Sequence, residues 1–143
     1  MFKKLVLVAL MFLSVHAGEL HWAKNYQSAI KTATQENKPV LFIISRDTCK
    51  YCILLDNTTL KDDKIVKALS RDFVVSRAWT NKRDYIPMEI AQNTPGLPGI
   101  WFLYPDGTPM YQPILGYVKK EDFLQMISIV EETFKKHKNK GKK

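Results

Sequence analysis

Val40-Leu41-Phe42-Ile43-Ile44-Ser45-Arg46-Asp47-Thr48-Cys49-Lys50-Tyr51-Cys52 carries an apolar run straight into two cysteines, the only two in the chain. The run from Val40 to Ile44 is rich in β-branched residues and shows no polar alternation, the pattern of a strand buried on both faces. Cysteines three residues apart lie on one face of a helix, where their sulfurs can close a disulfide without unwinding the turn. A strand that hands two thiols to a helix N-terminus is the layout of a dithiol/disulfide redox site. Thr48 is the expected N-cap of that helix. The positive end of the helix dipole then lies beside Cys49, with the cation of Lys50 next to it and Tyr51 completing the activating set. A helix end stabilises a charge by roughly 0.3 to 2 kcal/mol, and one pKa unit is about 1.4 kcal/mol. That brings a thiol from about 8.5 towards 7, where the thiolate is populated. On this reading Cys49 attacks, and Cys52, pointing inward, resolves.

Three other uses of the pair are poorly motivated. As a structural staple, a four-residue loop gains only about 2 kcal/mol in the chain-entropy model. A zinc site needs two more ligands, and beyond the first 17 residues only His21 and His137 remain, near opposite ends of the chain. Covalent c-type haem needs histidine directly after the second cysteine, where this chain has Ile53.

The first residues bear on the compartment. Lys3 and Lys4 form a positive n-region, Leu5 to Leu13 an apolar h-region, and Val15-His16-Ala17 a small-residue cleavage site. Residues 1–17 are therefore expected to be a cleavable signal peptide, with an apolar stretch too short to anchor in a bilayer. Export to the periplasm or beyond places the thiol pair, soluble after cleavage, where disulfides form. The remaining length suits one domain, residues 18–134, followed by a lysine-rich tail, residues 135–143. The formal charge of +8 belongs to the ends: residues 18–134 hold 14 basic and 14 acidic side chains. The tail reads as solvated and disordered, with weak contact to an anionic membrane surface as its functional reading. Nucleic acid is not an expected partner, because no aromatic residues interleave the lysines.

Along the body, helical spacing of Tyr26, Ile30, Ala33 and Thr34 predicts a helix over 24–36, ended by Asn37 and Pro39. The cysteine helix runs to about Asn57, and a second follows from Asp62 to Arg71 with Ile65, Val66 and Leu69 inward. Phe73 to Trp79 reads as a strand, and Met88 to Gln92 as a short helix. Ile100 to Tyr104, a Pro105-Asp106-Gly107 turn and Met110 to Leu115 read as a hairpin. Phe123, Met126, Ile127, Val130 and Phe134 line the core face of a helix over 119–134. The order implies a mixed sheet covered on both faces.

That order, with Cys49 and Cys52 after the first strand and Gly96-Leu97-Pro98-Gly99 before the hairpin, resembles the thioredoxin fold from roughly Trp22 to Lys136. Asn37-Lys38-Pro39, Thr59, Asp62 and Ile65-Val66 resemble exported thioredoxin-like thiol:disulfide interchange proteins and the C-terminal domain of Dsb-type thiol carriers. The fold class implied is α/β, a central mixed sheet with helices on both faces. The resemblance implies a cis-proline at Pro98 and substrate pairing through the backbone of Leu97. It also implies a buried acid six residues before the first cysteine. Here that position is Ile43, and Asp47 and Asp56 are the nearby acids, both expected to be solvated at the surface. The function implied is an exported thiol:disulfide oxidoreductase, a monomeric reductase or interchange protein with no cofactor beyond its redox-active disulfide. Its partners would be thiols and disulfides of exported proteins, with apocytochrome c a family-implied substrate and a membrane thiol carrier as electron source. The alternative is a non-catalytic module of the same fold that holds a client protein or a soft metal through the two thiolates.

Overall fold

The computed structural model describes residues 18–142, so the expected signal peptide lies outside the described residues. Helix α1, Tyr26–Glu36, starts where the Asn25 side chain accepts the Ser28 N–H while the Ser28 hydroxyl accepts the Asn25 N–H, a reciprocal cap. It stops at Asn37, which takes the left-handed conformation at φ 52°, and Pro39 prevents any continuation. Strand β1, Val40–Ser45, follows with all six residues buried. Next come α2, Lys50–Asn57; a single 3₁₀ turn, Thr59–Lys61; α3, Asp63–Asp72; and β2, Val74–Trp79. The chain continues through α4, Met88–Gln92; β3, Gly99–Leu103; β4, Ile114–Leu115; and α5, Lys120–Lys140.

The sheet order is β2-β1-β3-β4, with β1 parallel to β2 and antiparallel to β3. Parallel pairing of β1 and β2 demands a crossover, which α2 and α3 supply. Side chains alternate across β1. Leu41 and Ile43 pack with Leu55, Leu69, Phe123 and Ile127 on one face. Val40, Phe42 and Ile44 pack with Ala29, Ala33, Ile90 and Trp101 on the other. Both faces being covered, neither set of positions has a polar counterpart, which is why β1 reads as an unbroken apolar run.

Two expectations are corrected. The second arm of the hairpin shrinks to Ile114–Leu115, with one isolated bridge between Leu103 and Pro109. The Met110 N–H still reaches the Phe102 carbonyl at 2.9 Å, but Pro109 and Pro113 have no N–H to donate, which interrupts a continuous ladder before β4. The turn itself forms, with Gly107 at φ 91°, where a Cβ would come within 2.3 Å of the Tyr26 hydroxyl. The second correction concerns the lysine-rich segment, which is not disordered: α5 runs unbroken to Lys140. His137 stacks on Tyr104 at 4.3 Å, Lys138 lies over the Phe134 ring, and Lys136 pairs with Glu132 one turn earlier. Cations in the last turn also suit the negative end of the helix dipole. Composition alone reports none of these contacts.

Candidate active site

The β1–α2 connection turns sharply enough for the Cys49 N–H to reach the Arg46 carbonyl at 3.2 Å. Cys49 is left as the extended residue before the helix, at φ −81° and ψ 116°, and so becomes the N-cap itself. Its Sγ accepts the Cys52 N–H at 3.2 Å. The sequence expectation placed this role on Thr48; the turn sets the helix start one residue later, and Thr48 is an exposed residue at the groove described below.

The Cα atoms of Cys49 and Cys52 are 5.2 Å apart and their sulfurs face each other as a disulfide. Cys52 is 1% exposed, on the buried face of α2, while Cys49 keeps partial access to solvent. One sulfur can be reached from outside and the other only through its partner. Lys50 and Tyr51 are exposed, with the ammonium 5.9 Å from the Tyr51 ring centroid. Ile53 and Leu54 are also exposed, giving the outer side of α2 an apolar character.

The second wall comes from the segment before β3. The Leu97–Pro98 peptide is cis, Pro98 is buried and Leu97 half-buried. Thr94 pins this segment: its hydroxyl donates to the Ile90 carbonyl at 2.6 Å and accepts the Trp101 indole N–H at 2.9 Å. Gly99 must be glycine here, since a Cβ would lie 2.2 Å from the Thr94 methyl. The Pro98 carbonyl accepts the Gly116 N–H at 2.9 Å, tying the loop after β4 to the same wall. A groove of about 550 Å³ separates the two walls and is lined by Cys49, Thr48 and Leu97, among others. Three of the residues singled out from sequence thus meet in one groove. Pro98, next in sequence to Leu97, and Cys52, within one turn of Cys49, are buried, and neither they nor Lys50 and Tyr51 line it.

Ile43 is 1% exposed and stands in register with Arg77 of β2 on one side and Ile100 of β3 on the other. Asp47 behaves as expected of a surface acid, accepting from Asn81 and facing Lys82 at 3.9 Å. Asp56 does not. It lies four residues after Cys52 on α2, half-buried, and takes both terminal nitrogens of Arg77, one of them at 3.0 Å. The guanidinium carbon sits 4.0 Å from the Trp22 ring centroid and 4.9 Å from that of Trp79. Burial lowers the Arg77 pKa, and the charge of Asp56 and its hydrogen bonds oppose that shift. Sequence reading passed over Arg77, although a lone arginine in the apolar strand 73–79 was the available signal. Arg46 and Thr94, both in the groove lining, had no comparable signal.

Residues 26–131 match the family model of the thioredoxin-like domain. Spermatogenesis-associated protein 20 of Homo sapiens is 29% identical over 140 residues, which cover 90% of this chain and 18% of that protein. Its Rattus norvegicus counterpart is 29% identical over 122 residues, 81% of this chain and 15% of that protein. The chain therefore spans less than a fifth of the length of these relatives. Among solved structures, a DsbH oxidoreductase superposes with a TM-score of 0.65 at 17% identity, over 82% of this chain and 88% of its own. A thioredoxin from Thermus thermophilus gives 0.66 at 23% identity, over 79% and 88%. The C-terminal domain of DsbD from Neisseria meningitidis, in its reduced form, gives 0.52 at 28% identity, over 74% and 91%.

Proposed function

The chain belongs to the thioredoxin-like domain family, and on that premise we propose that it is a thiol:disulfide oxidoreductase acting on protein disulfides through Cys49 and Cys52. The observation that carries this reading is the asymmetry of the two sulfurs: Cys49 opens on a groove at the start of α2, and Cys52 is 1% exposed behind it. In the reduced protein the Cys49 thiolate attacks one sulfur of a substrate disulfide. A mixed disulfide forms and the other substrate sulfur leaves as a thiolate. Cys52 then loses its proton and attacks the Cys49 sulfur, closing the internal disulfide and releasing the second substrate thiol. The substrate gains two electrons and the protein gives up two, which an external dithiol donor must restore. The Cys52 N–H directed at Cys49 Sγ helps to hold negative charge there once the disulfide is reduced.

Leu97 and Pro98 form the substrate wall in this reading. The backbone of Leu97 makes no bond to other backbone groups among the described residues, leaving it free to pair with an extended substrate segment. The exposed Tyr51, Ile53 and Leu54 suit contact with apolar, incompletely folded chains. The N-terminal signal-like pattern supports an exported, periplasmic setting, with a membrane thiol carrier as dithiol donor and exported thiol proteins, apocytochrome c among them, as substrates. The test is trapping. Cys52→Ser should accumulate mixed disulfides with protein substrates, while Cys49→Ser should accumulate none. Trapping on Cys49→Ser instead would reverse the roles, and failure of the intact protein to speed insulin reduction by dithiothreitol would remove the catalytic reading.

A further inference from the structure

The groove beside Cys49 carries a charge that the chemistry above does not use. Arg46 is the one charged residue in its lining among the described residues, where the other walls come from Ile44, Thr80, Ile86 and Leu97. Its Nε donates to the Thr80 hydroxyl at 3.1 Å. Thr80 is itself held by its N–H on the Ser45 carbonyl at 2.9 Å. The stem is thus anchored to a neutral partner and the two terminal nitrogens of the fork stay available. No carboxylate among the described residues lies within ion-pair distance of this guanidinium. Asp47, next in sequence, is occupied by Asn81 and Lys82. A cation held in place without a counter-charge, in a groove that also holds the reachable sulfur, is arranged to receive a carboxylate from outside.

We propose that Arg46 determines substrate specificity, selecting protein disulfides whose attacked cysteine has an aspartate or glutamate within one or two residues. This rests on the oxidoreductase reading of Cys49. The Cys49 N–H bonds to the Arg46 carbonyl, so sulfur and guanidinium belong to the same turn and open on the same groove. An extended substrate advances about 3.3 Å per residue. A cysteine engaged by Cys49 therefore brings its neighbouring side chains into the groove, within reach of the arginine fork. Guanidinium and carboxylate match in shape as well as charge, and a partly enclosed groove screens the pair less than open water does. Charge complementarity of this kind acts on partner choice and encounter rate more than on total affinity.

The experiment uses one peptide sequence in three versions, with Asp, Asn or Lys next to a single cysteine that is linked as a mixed disulfide to 2-mercaptoethanol. The rate of reduction by the fully reduced protein is measured by quenched alkylation and divided by the rate with dithiothreitol, which removes the intrinsic effect of the neighbouring charge on the peptide sulfur. The Asp peptide is expected to react about three- to fivefold faster than the Asn peptide, with Lys slowest, the upper part of the range open to an exposed ion pair. Arg46→Gln should erase the preference, Arg46→Glu should invert it and Arg46→Lys should keep part of it. About 0.5 M salt should shrink it. Normalised rates within twofold of each other and unmoved by Arg46→Gln would overturn the assignment while leaving the oxidoreductase reading in place. No reduction of any peptide would overturn that reading, and this inference with it.

Discussion

Removing the carboxylate of Asp56 should be among the most damaging single changes outside the apolar core. Arg77 keeps only 12% of its side chain exposed, lies between Trp22 and Trp79, and has its Nε buried without a partner. Asp56→Ala would leave that guanidinium without its counter-charge. Breaking a fully buried pair by deleting one member costs about 3 to 5 kcal/mol. Asp56 retains 28% side-chain exposure, so water recovers part of the loss, and about 2 to 3 kcal/mol is the expected destabilisation. For a domain of this size that corresponds to a fall in Tm of roughly 10 °C. Urea unfolding at constant pH, with the m-value checked for constancy, measures it directly. The double variant Asp56→Leu/Arg77→Met should recover most of the stability, because no charge is then left buried. A loss below about 0.5 kcal/mol in Asp56→Ala, within the range of ordinary surface changes, would show that the guanidinium finds water or another partner and that the pair is not a structural element.

Deleting residues 135–143 should cost about 1 to 2 kcal/mol, from the His137–Tyr104 stack and the Lys138 contact on Phe134 at their usual worth; an unchanged melting curve would mean that this end of α5 is unsupported. The pH dependence of stability should report Glu131, whose carboxyl is pushed above its ordinary 4.5 by burial first and by the neighbouring Asp72 next. A raised folded-state pKa gives stability that is complete at low pH and lost as pH climbs from about 4.5 through the folded value. Glu131→Gln should therefore be more stable than the natural chain near neutrality and lose its advantage on acidification, measured as the difference in Tm between the two across that range. Asp72 is shifted the other way, chiefly by its hydrogen bond from Arg71, so its contribution fades only as pH falls below 3.8, outside this window.

Much of this protein is written in short-range pattern. The unbroken apolar run of β1, the three-residue spacing of Cys49 and Cys52, and the helical stripe of α5 each need only a period of two or 3.6 to be read. Together they led to the thioredoxin fold, with the dithiol at the start of α2. Tertiary structure decided what depends on residues distant in the chain. Arg77 meets Asp56 across 21 positions, and Arg46 meets Thr80 across 34, because the parallel crossover sets β2 in register beside β1. The last two turns of α5 stand on Tyr104, 33 positions before His137, where composition pointed to a disordered tail. Even the cap of α2 went to Cys49 through a turn closed on Arg46. Helical and strand periods are properties of the local backbone and survive in any context. The partner of a charge, and hence whether it is solvated, buried or left free for a ligand, exists only once the sheet has fixed which strands are neighbours.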